Sequence, residues 1–239
     1  RLVKEAFADA EFARASRLTS ANSINVGRLL PQAIYYIYAW AHGDGAEPVF
    51  VVPSGNFGNL TAGLLAHRLG MPAAGFVAAT NVNDTVPEFL KTGEYRPRPS
   101  IQTLSSAMDV GAPSNFERIE ALFRDPGGPR LNEVVVGSAH SDEDTLRQTH
   151  HFFDRLEYLA DPHTAVGLAA ARATRDHWPG APRVVLATAH PGKFPDAVRS
   201  AIGQDPPVLA ALARALDRPS TFDTISPDGS ALRGLLQGP

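Results

Sequence analysis

The stretch Pro48 to Gly70, PVFVVPSGNFGNLTAGLLAHRLG, decides the fold of this chain. It opens with Val49 to Val52, a short apolar run rich in β-branched residues that Pro53 ends, and this predicts a buried strand entering a turn. After the turn, leucines recur at helical spacing, at Leu60, Leu64, Leu65 and Leu69. The predicted order is therefore strand, glycine-containing loop, helix.

The loop itself, Ser54 to Asn59, has a composition suited to an anion. Gly55 and Gly58 let the main chain come close to a ligand, and the N–H groups of the loop and of the first helical turn point outward, where the helix dipole favours negative charge. A phosphate group is the predicted ligand. Alone the pattern is weak, because two glycines between a strand and a helix usually form only a tight connection, and the loop matches neither the P-loop nor the dinucleotide-binding pattern.

Further short motifs lie on both sides of the loop. They are Ser23-Ile24-Asn25 with Arg28, Ala79-Thr80-Asn81-Val82-Asn83-Asp84, Phe89-Leu90-Lys91-Thr92-Gly93, Ala107-Met108-Asp109, Ser114-Asn115-Phe116-Glu117-Arg118, Asp161-Pro162-His163-Thr164-Ala165-Val166-Gly167 and Thr188-Ala189-His190-Pro191-Gly192-Lys193-Phe194. In this order, and together with the loop, they resemble the threonine synthases, pyridoxal-phosphate enzymes of fold type II. The resemblance covers roughly residues 2 to 218.

Strands alternate with helices along the chain, which predicts an α/β fold with a doubly wound, mostly parallel sheet flanked by helices. The resemblance implies the same architecture, that of tryptophan synthase β-like enzymes. The predicted strands are 49–52, 74–81 and 184–187. The predicted helices are 2–17, 22–40, about 60–69, 84–93, 114–123, 141–158, 163–177, 193–202 and 208–216, with a long loop at 94–113.

Residues 1–218 are interpreted as the large cofactor-binding portion of such an enzyme, and residues 219–239 as a polar, weakly ordered C-terminal tail outside the resemblance. Two local predictions follow from residue patterns. The apolar residues after Pro31 in the second predicted helix are expected to pack in the core. Ser114 and Glu117 have the spacing of a capping box at a helix start.

The resemblance also implies the cofactor site. The loop residues Gly55, Asn56, Phe57 and Gly58 bind the phosphate of pyridoxal 5′-phosphate, with Asn59 where the family usually has Asp. The hydroxyl of Thr188, at the C-terminal end of a predicted strand, faces the pyridine nitrogen. A neutral hydroxyl there does not enforce a protonated ring, so it moderates the electron withdrawal by the cofactor.

The implied reaction converts O-phospho-L-homoserine and water into L-threonine and phosphate. Its remote substrate phosphate needs Arg, Lys or hydroxyl donors, and Arg28 and Ser23 are the candidates for it. Asn25, in the same motif, is the third candidate substrate-binding residue. The family carries Trp-Ala where this chain has Val26-Gly27, so this end of the site differs in shape.

One element of the family's chemistry has no counterpart here. The lysine that forms a Schiff base with the cofactor lies upstream of the matched region in the family, and none of Lys4, Lys91 and Lys193 occupies its motif. The chain is therefore expected to hold no catalytic residue of its own. Because it begins at Arg1 without an initiating Met, it is interpreted as a fragment whose partner is the N-terminal portion of the same protein.

Composition limits the other functions. With 239 residues, 44% of them hydrophobic, the chain can bury a large core. A formal charge of −3 argues against a nucleic-acid partner, the lack of a long apolar run argues against a membrane partner, and the absence of cysteine excludes disulfides and thiolate metal sites. No metal site is expected from His150, His151 and His163, since no carboxylate lies at ligand spacing. The protein is expected to be bacterial, cytoplasmic, and a monomer or homodimer.

Two other functions stay open from the residues. The chain could be a non-catalytic domain that keeps the loop only to bind phosphate or pyridoxal phosphate. It could also belong to another fold type II lyase, such as a dehydratase, although the motifs between Asn81 and Gly93 and between Ser114 and Arg118 speak against that.

Overall fold

The computed structural model of the chain describes residues 2–21, 23 and 25–237. The predicted motif residue Ile24, the predicted helix start at Asn22 and the last two residues of the predicted tail lie outside this range. A four-stranded parallel sheet forms the centre, with the strand order β3-β2-β1-β4. Its strands are β1 (Val49–Pro53), β2 (Gly75–Thr80), β3 (Val135–Ala139) and β4 (Arg183–Val185).

Helices connect the strands and cover both faces of the sheet. They are α1 (Leu2–Ala8), α2 (Ala10–Ala15), α3 (Leu30–Ala41), α4 (Gly58–Arg68), α5 (Thr85–Thr92), α6 (Phe116–Leu122), α7 (Leu131–Val134), α8 (Asp142–Leu156), α9 (Pro162–Ala173), α10 (Pro195–Ile202), α11 (Ala210–Leu216) and α12 (Gly229–Gln237). Short 3₁₀ turns lie at Val26–Arg28, Ser106–Met108 and Pro191–Lys193. The prediction of a parallel, doubly wound α/β fold is confirmed.

The two central strands are buried along their whole length, as parallel strands covered on both faces require. Successive residues of β1 point to opposite faces. Phe50 and Val52 join α3, α4 and α6 in the larger apolar cluster, whereas Val49 and Val51 join α9 in the smaller one. The loop after β1 therefore leaves the sheet at its carboxyl edge, between the two helical layers.

Strand β3 was not predicted from the sequence. Its apolar run is short, directly follows the single-turn helix α7 and ends at Gly137. The glycine is needed because a Cβ there would lie 2.5 Å from the main-chain Cα of Pro87. Because α5 packs so closely on β3, position 137 must be glycine, and this glycine ends the apolar run by which a strand is recognised in a sequence.

The prediction that residues after Pro31 pack in the core is wrong for one face of α3. Ala33 and Tyr36 are buried, but Ile34 is 65% and Tyr38 62% exposed. Ala33 and Tyr36 belong to the larger apolar cluster, whereas the described residues leave Ile34 and Tyr38 largely uncovered. The strand predicted over 184–187 is β4, which spans Arg183–Val185 and is half-buried at the edge of the sheet.

Other differences are local. The predicted helix 2–17 is broken at Asp9, whose side chain accepts the N–H of Phe12 at 2.9 Å and so caps a second helix. The stretch after residue 218, expected to be weakly ordered, contains helix α12. There Arg233 pairs with Asp9 at 2.7 Å and lies 4.5 Å from the ring centre of Phe12. No helix in the described residues is long and apolar enough to cross a membrane.

Candidate functional site

The loop after β1 is anchored at its first residue and strained at the start of α4. The main-chain N–H of Ser54 donates to Ala79 O at 2.8 Å, which continues the sheet by one rung, and its hydroxyl donates to Val52 O at 2.8 Å. Phe57 adopts a left-handed conformation, with φ of 61° and ψ of 11°. Such backbone geometry is unfavourable for a bulky residue, and strain of this kind concentrates at binding sites.

Six consecutive N–H groups, from Gly55 to Leu60, have no hydrogen-bond acceptor among the described residues. The first helical bond of α4 is made only by Thr61, whose N–H donates to Phe57 O at 2.9 Å. These donors lie at the N-terminal end of an 11-residue helix that carries no acidic residue in its first turn. Such an arrangement of donors has the geometry and polarity to hold an anion such as a phosphate group.

One support of the loop is the fully buried side chain of Asn115. Its Nδ2 donates to Asn56 O and to Ser23 Oγ, both at 2.9 Å. Asn56 in turn accepts the N–H of Ser114 on Oδ1 at 2.7 Å and donates to Ser23 Oγ at 3.0 Å. Arg118 completes the group by donating to Ser23 O at 2.6 Å. The predicted capping box is therefore wrong: Ser114 holds Asn56 rather than capping α6, whose N-cap is Asn115.

A second support lies on the opposite side of Gly55. A Cβ on Gly55 would lie 2.6 Å from Ala107 O and 2.7 Å from Met108 Cα, so the 3₁₀ turn at 106–108 packs directly on the loop. The segment that contains this turn is held by a buried amide, because Asn81 Nδ2 donates to Asp109 Oδ1 and to Thr103 Oγ1, each at 2.8 Å. Glycine is required at position 55 by this close approach.

The N-terminal end of α4 borders a cleft of about 610 Å³ beside the carboxyl end of β4. Among the described residues it is lined by Arg28, Gln32, Tyr35, Asn59 and the segment from Val184 to Thr188. Ligands of parallel α/β sheets bind at this edge of the sheet. No lysine is among these lining residues.

Two tyrosines orient Asn59 at the cleft wall. Its Oδ1 accepts the hydroxyl of Tyr35 at 2.8 Å and that of Tyr36 at 2.5 Å, and Tyr36 OH also lies 3.0 Å from Asn59 O. Burial raises the pKa of Tyr35 to about 12, and burial together with the neighbouring Tyr35 raises the pKa of Tyr36 well above 10. Both phenols are therefore neutral donors at ordinary pH, which leaves the amide nitrogen of Asn59 without a partner among the described residues.

The structure brings together part of the predicted site. Asn59, Thr188 and Arg28 share the cleft, and Ser23 is tied to Asn56 beside it. Asn25 is instead engaged in its own turn, since its Oδ1 accepts the N–H of Gly27 at 2.9 Å and its Nδ2 donates to Ser20 O at 3.2 Å. Arg28 is exposed and has no ion-pair partner among the described residues.

Several residues that shape this site were not recognised from the sequence. Asn115 was given no role of its own within the Ser114–Glu117 motif, and Tyr36 was interpreted as core packing alone. The signal available for Asn115 was its place within a motif of the resembling family, but its contacts are to residues 59 and 92 positions away. Within the described residues no cluster of three or more His, Asp or Glu side chains is placed to hold a metal ion.

Comparisons with known proteins agree with this geometry. Residues 11–189 match the family model of pyridoxal-phosphate dependent enzymes, and residues 164–235 match that of the C-terminal region of threonine synthase. The second match extends past residue 218, where the sequence resemblance was expected to end.

Three similar proteins are threonine synthases. The chain is 46% identical over 239 residues to threonine synthase of Escherichia coli strain K12, covering 98% of this chain and 54% of that protein. It is 44% identical to threonine synthase of Serratia marcescens, covering 99% of this chain and 55% of that protein. The crystal structure of threonine synthase with bound pyridoxal phosphate from Brucella melitensis superposes with a TM-score of 0.85 at 34% identity, covering 99% and 56% of the two chains. The chain thus spans about half the length of the relatives it matches.

Proposed function

Because the chain belongs to the family of pyridoxal-phosphate-dependent enzymes, we propose that it is the cofactor-binding, C-terminal portion of a threonine synthase. The enzyme would convert O-phospho-L-homoserine and water into L-threonine and phosphate. Residues 1–218 would form the cofactor-binding portion, and residues 219–239 a C-terminal extension tied back through Arg233 and Asp9.

The observation that carries the proposal is the run of six N–H groups from Gly55 to Leu60 that find no acceptor in the described part of the chain. It fits the cofactor because a phosphate monoester offers several acceptor oxygens and a charge of about −2 to a helix N-terminus. The loop residues Gly55, Asn56, Phe57 and Gly58 would hold this group with their main chain. Asn59 would add its unpaired amide nitrogen at the boundary between the phosphate and the cleft.

The other residues of the cleft would act on the ring and the substrate. Thr188 would place its hydroxyl against the pyridine nitrogen. Because the hydroxyl is neutral, it would not require that nitrogen to be protonated. Arg28 would bind the phosphate of the substrate, because its guanidinium is exposed in the cleft and offers a fork of donors to phosphate oxygens. Ser23 is the second candidate for this phosphate, whereas Asn25 would act by shaping the turn that carries Arg28.

When bound, pyridoxal phosphate supplies an electron sink that stabilises negative charge on the carbon atoms of an amino-acid substrate. The lysine that this chemistry needs is expected from outside the chain. Lys91 and Lys193 are exposed, and neither is among the described residues that line the cleft. We therefore propose that the chain binds cofactor but does not turn over substrate alone.

The exposed face of α3, formed by Leu30, Ile34, Ile37 and Tyr38, is where we propose that the N-terminal portion of the enzyme packs. These four side chains form one stripe at helical spacing, and each is at least 41% exposed. β4, the neighbouring end of the sheet, has a free edge that can accept another strand. Exposed apolar area of this kind is typical of a surface that is covered in the complete protein.

The remaining proposals concern the setting of the enzyme. By analogy with its bacterial relatives, the protein would work in a bacterial cytoplasm, as a monomer or homodimer, on a small-molecule substrate. Neither nucleic acid nor membrane is a proposed partner.

The cofactor proposal is tested by binding of 4′-deoxypyridoxine 5′-phosphate to the 239-residue chain. This probe lacks the aldehyde and so does not react with surface lysines, and 4′-deoxypyridoxine is its phosphate-free control. We expect the phosphorylated compound to bind at least tenfold more tightly and inorganic phosphate to compete with it. Equal affinity for the two compounds would contradict the proposal.

The reaction is tested with a fusion in which the N-terminal portion of E. coli threonine synthase precedes this chain. We expect the fusion to release phosphate from O-phospho-L-homoserine and to form threonine, and the unfused chain to do neither. A folded fusion that deaminates threonine or serine instead would show that the chain comes from a dehydratase-like lyase.

A further inference from the structure

The buried side chain of His163, the second residue of α9, contacts the 106–108 turn, and the same turn packs on Gly55 of the loop. Its Nδ1 is 2.9 Å from Asp161 Oδ1, and both residues are at most 4% exposed. Oδ1 of Asp161 also accepts the main-chain N–H of His163 at 2.9 Å, and Oδ2 accepts the hydroxyl of Thr164. Asp161 is thus an acceptor on both oxygens.

The second ring nitrogen of His163 has a fixed role. Nε2 lies 3.2 Å from the main-chain N of Ala107, and an amide N–H can only donate. Nε2 must therefore be an unprotonated acceptor, and the ring proton must lie on Nδ1, where Asp161 accepts it. The N–H of Ala107 and the carboxylate of Asp161 thus each favour the tautomer with its proton on Nδ1.

Ala107 connects this pair to the anion site. Its carbonyl oxygen and the adjacent Met108 Cα lie where a Cβ of Gly55 would be, at 2.6 and 2.7 Å. Met108 is buried in the smaller apolar cluster, so the turn does not move freely on its other side. Asp161 therefore contacts His163, His163 contacts Ala107, and Ala107 contacts Gly55.

We propose that Asp161 and His163 are a positioning pair: by holding the N–H of Ala107 they set the place of the 106–108 turn and, through its contact with Gly55, the direction of the loop N–H groups. The pair thereby raises the affinity of the loop for a phosphate monoester. This inference rests on the proposed function of the loop. It assigns a role to the motif Asp161-Pro162-His163 that goes beyond capping α9, since capping uses only Asp161.

The test compares three variants of the 239-residue chain. His163→Gln keeps an acceptor near the Nε2 position, and His163→Phe keeps a ring beside Phe194 but has no acceptor. Thr174→Val is the matched control, because it removes one buried hydrogen bond at the other end of the same helix, from Thr174 Oγ1 to Ala170 O.

We expect His163→Phe to weaken binding of 4′-deoxypyridoxine 5′-phosphate about fivefold, the effect of one hydrogen bond, and His163→Gln to weaken it less than about twofold. Thr174→Val should lower stability without changing affinity. Equal affinity of His163→Phe and wild type, or equal losses in His163→Phe and His163→Gln, would overturn the inference.

Failure of the proposed function gives a different result. If the wild-type chain binds the phosphorylated and phosphate-free compounds equally, the loop is not a phosphate site and the affinity part of the inference falls with it. Amide hydrogen exchange without ligand then decides the positioning role. Faster exchange at Gly55 to Gly58 in His163→Phe, but not in His163→Gln, supports that role, and unchanged exchange refutes it.

Discussion

The hydroxyl of Tyr36 lies 2.5 Å from Oδ1 and 3.0 Å from the main-chain oxygen of Asn59, so a fully buried residue of α3 holds the first turn of α4. The same ring packs edge-on against Phe50 of β1, with ring centres 5.0 Å apart. Tyr36 thus joins the apolar core to the wall of the cleft. Its partner Tyr35 reaches the same oxygen from the exposed side of the helix.

Tyr36→Phe should lower the free energy of unfolding by about 1.5 kcal/mol, the upper end for one hydrogen bond, because it removes a fully buried hydroxyl that contacts both Oδ1 and the main-chain oxygen of Asn59. Tyr35→Phe is the matched control. It removes a bond to the same oxygen from a half-exposed hydroxyl, which water can replace, so the expected loss is below about 1 kcal/mol. Urea denaturation of the two variants measures both values, and equal losses would contradict the role given to Tyr36.

Gly63→Ala should also destabilise the chain, although alanine favours helices over glycine. A Cβ at position 63 would lie 2.6 and 2.7 Å from ring atoms of Tyr36 and 3.0 Å from the ring of Phe76, all in the core. We expect a loss of about 1–3 kcal/mol from this overpacking. Gly234→Ala is the control in α12, where nothing lies within 4 Å and a small gain is expected. Thermal unfolding of both variants checks the opposite signs.

Much of this fold was predictable because its signals are local. The strand β1 and the glycine loop are marked by consecutive β-branched residues, a proline and two glycines, and the structure has β1, the loop and α4 in the predicted order. The motif around Thr188 likewise follows a strand, and it meets Asn59 in one cleft.

The parts that were not predicted depend on distant contacts. Asn115 supports Asn56 and Ser23, yet its neighbours in sequence fit a capping box equally well. The apolar residues Ile34 and Tyr38 indicate burial, but whether a helix face is covered depends on elements distant in the sequence. Neither fact is carried by the residues around these positions.

Because of Asp161, the free energy of unfolding of the chain should fall as the pH becomes acidic. Burial raises the pKa of its carboxyl group, but hydrogen bonds from His163 and Thr164 outweigh burial and hold the pKa below the ordinary 3.8. A carboxyl group whose folded-state pKa is lowered stabilises the fold fully above its unfolded pKa, and this contribution is lost as pH falls through the folded pKa. The loss is therefore expected below about pH 4.

Asp161→Asn tests this pH dependence. The variant should be less stable than wild type at pH 6, and the difference should narrow as the pH falls below about 4, since protonation removes the same charge from wild type. Asp176→Asn, at a side chain that is 96% exposed, should leave the slope unchanged. Urea titrations from pH 2.5 to 6 give the slopes, and a difference that stays constant across this range would show that the charge of Asp161 contributes nothing.

The exposed face of α3 provides the last prediction, because its effect should depend on whether the N-terminal portion is present. Ile34→Glu combined with Tyr38→Glu should change the stability of the 239-residue chain by less than about 0.5 kcal/mol, as usual for exposed positions.

In the fusion with the N-terminal portion of E. coli threonine synthase, the same pair of substitutions would bury two charges in an apolar contact. It should cost several kcal/mol, about 1.5–3 for each lost apolar side chain plus the burial of charge. Leu69→Glu is the matched control, at a leucine that is 75% exposed at the end of α4 and outside the α3 stripe. It should be neutral in both proteins. If the double variant leaves the fusion as stable as the unsubstituted fusion, this face of α3 meets solvent in the complete enzyme. The packing proposed for the N-terminal portion is then wrong.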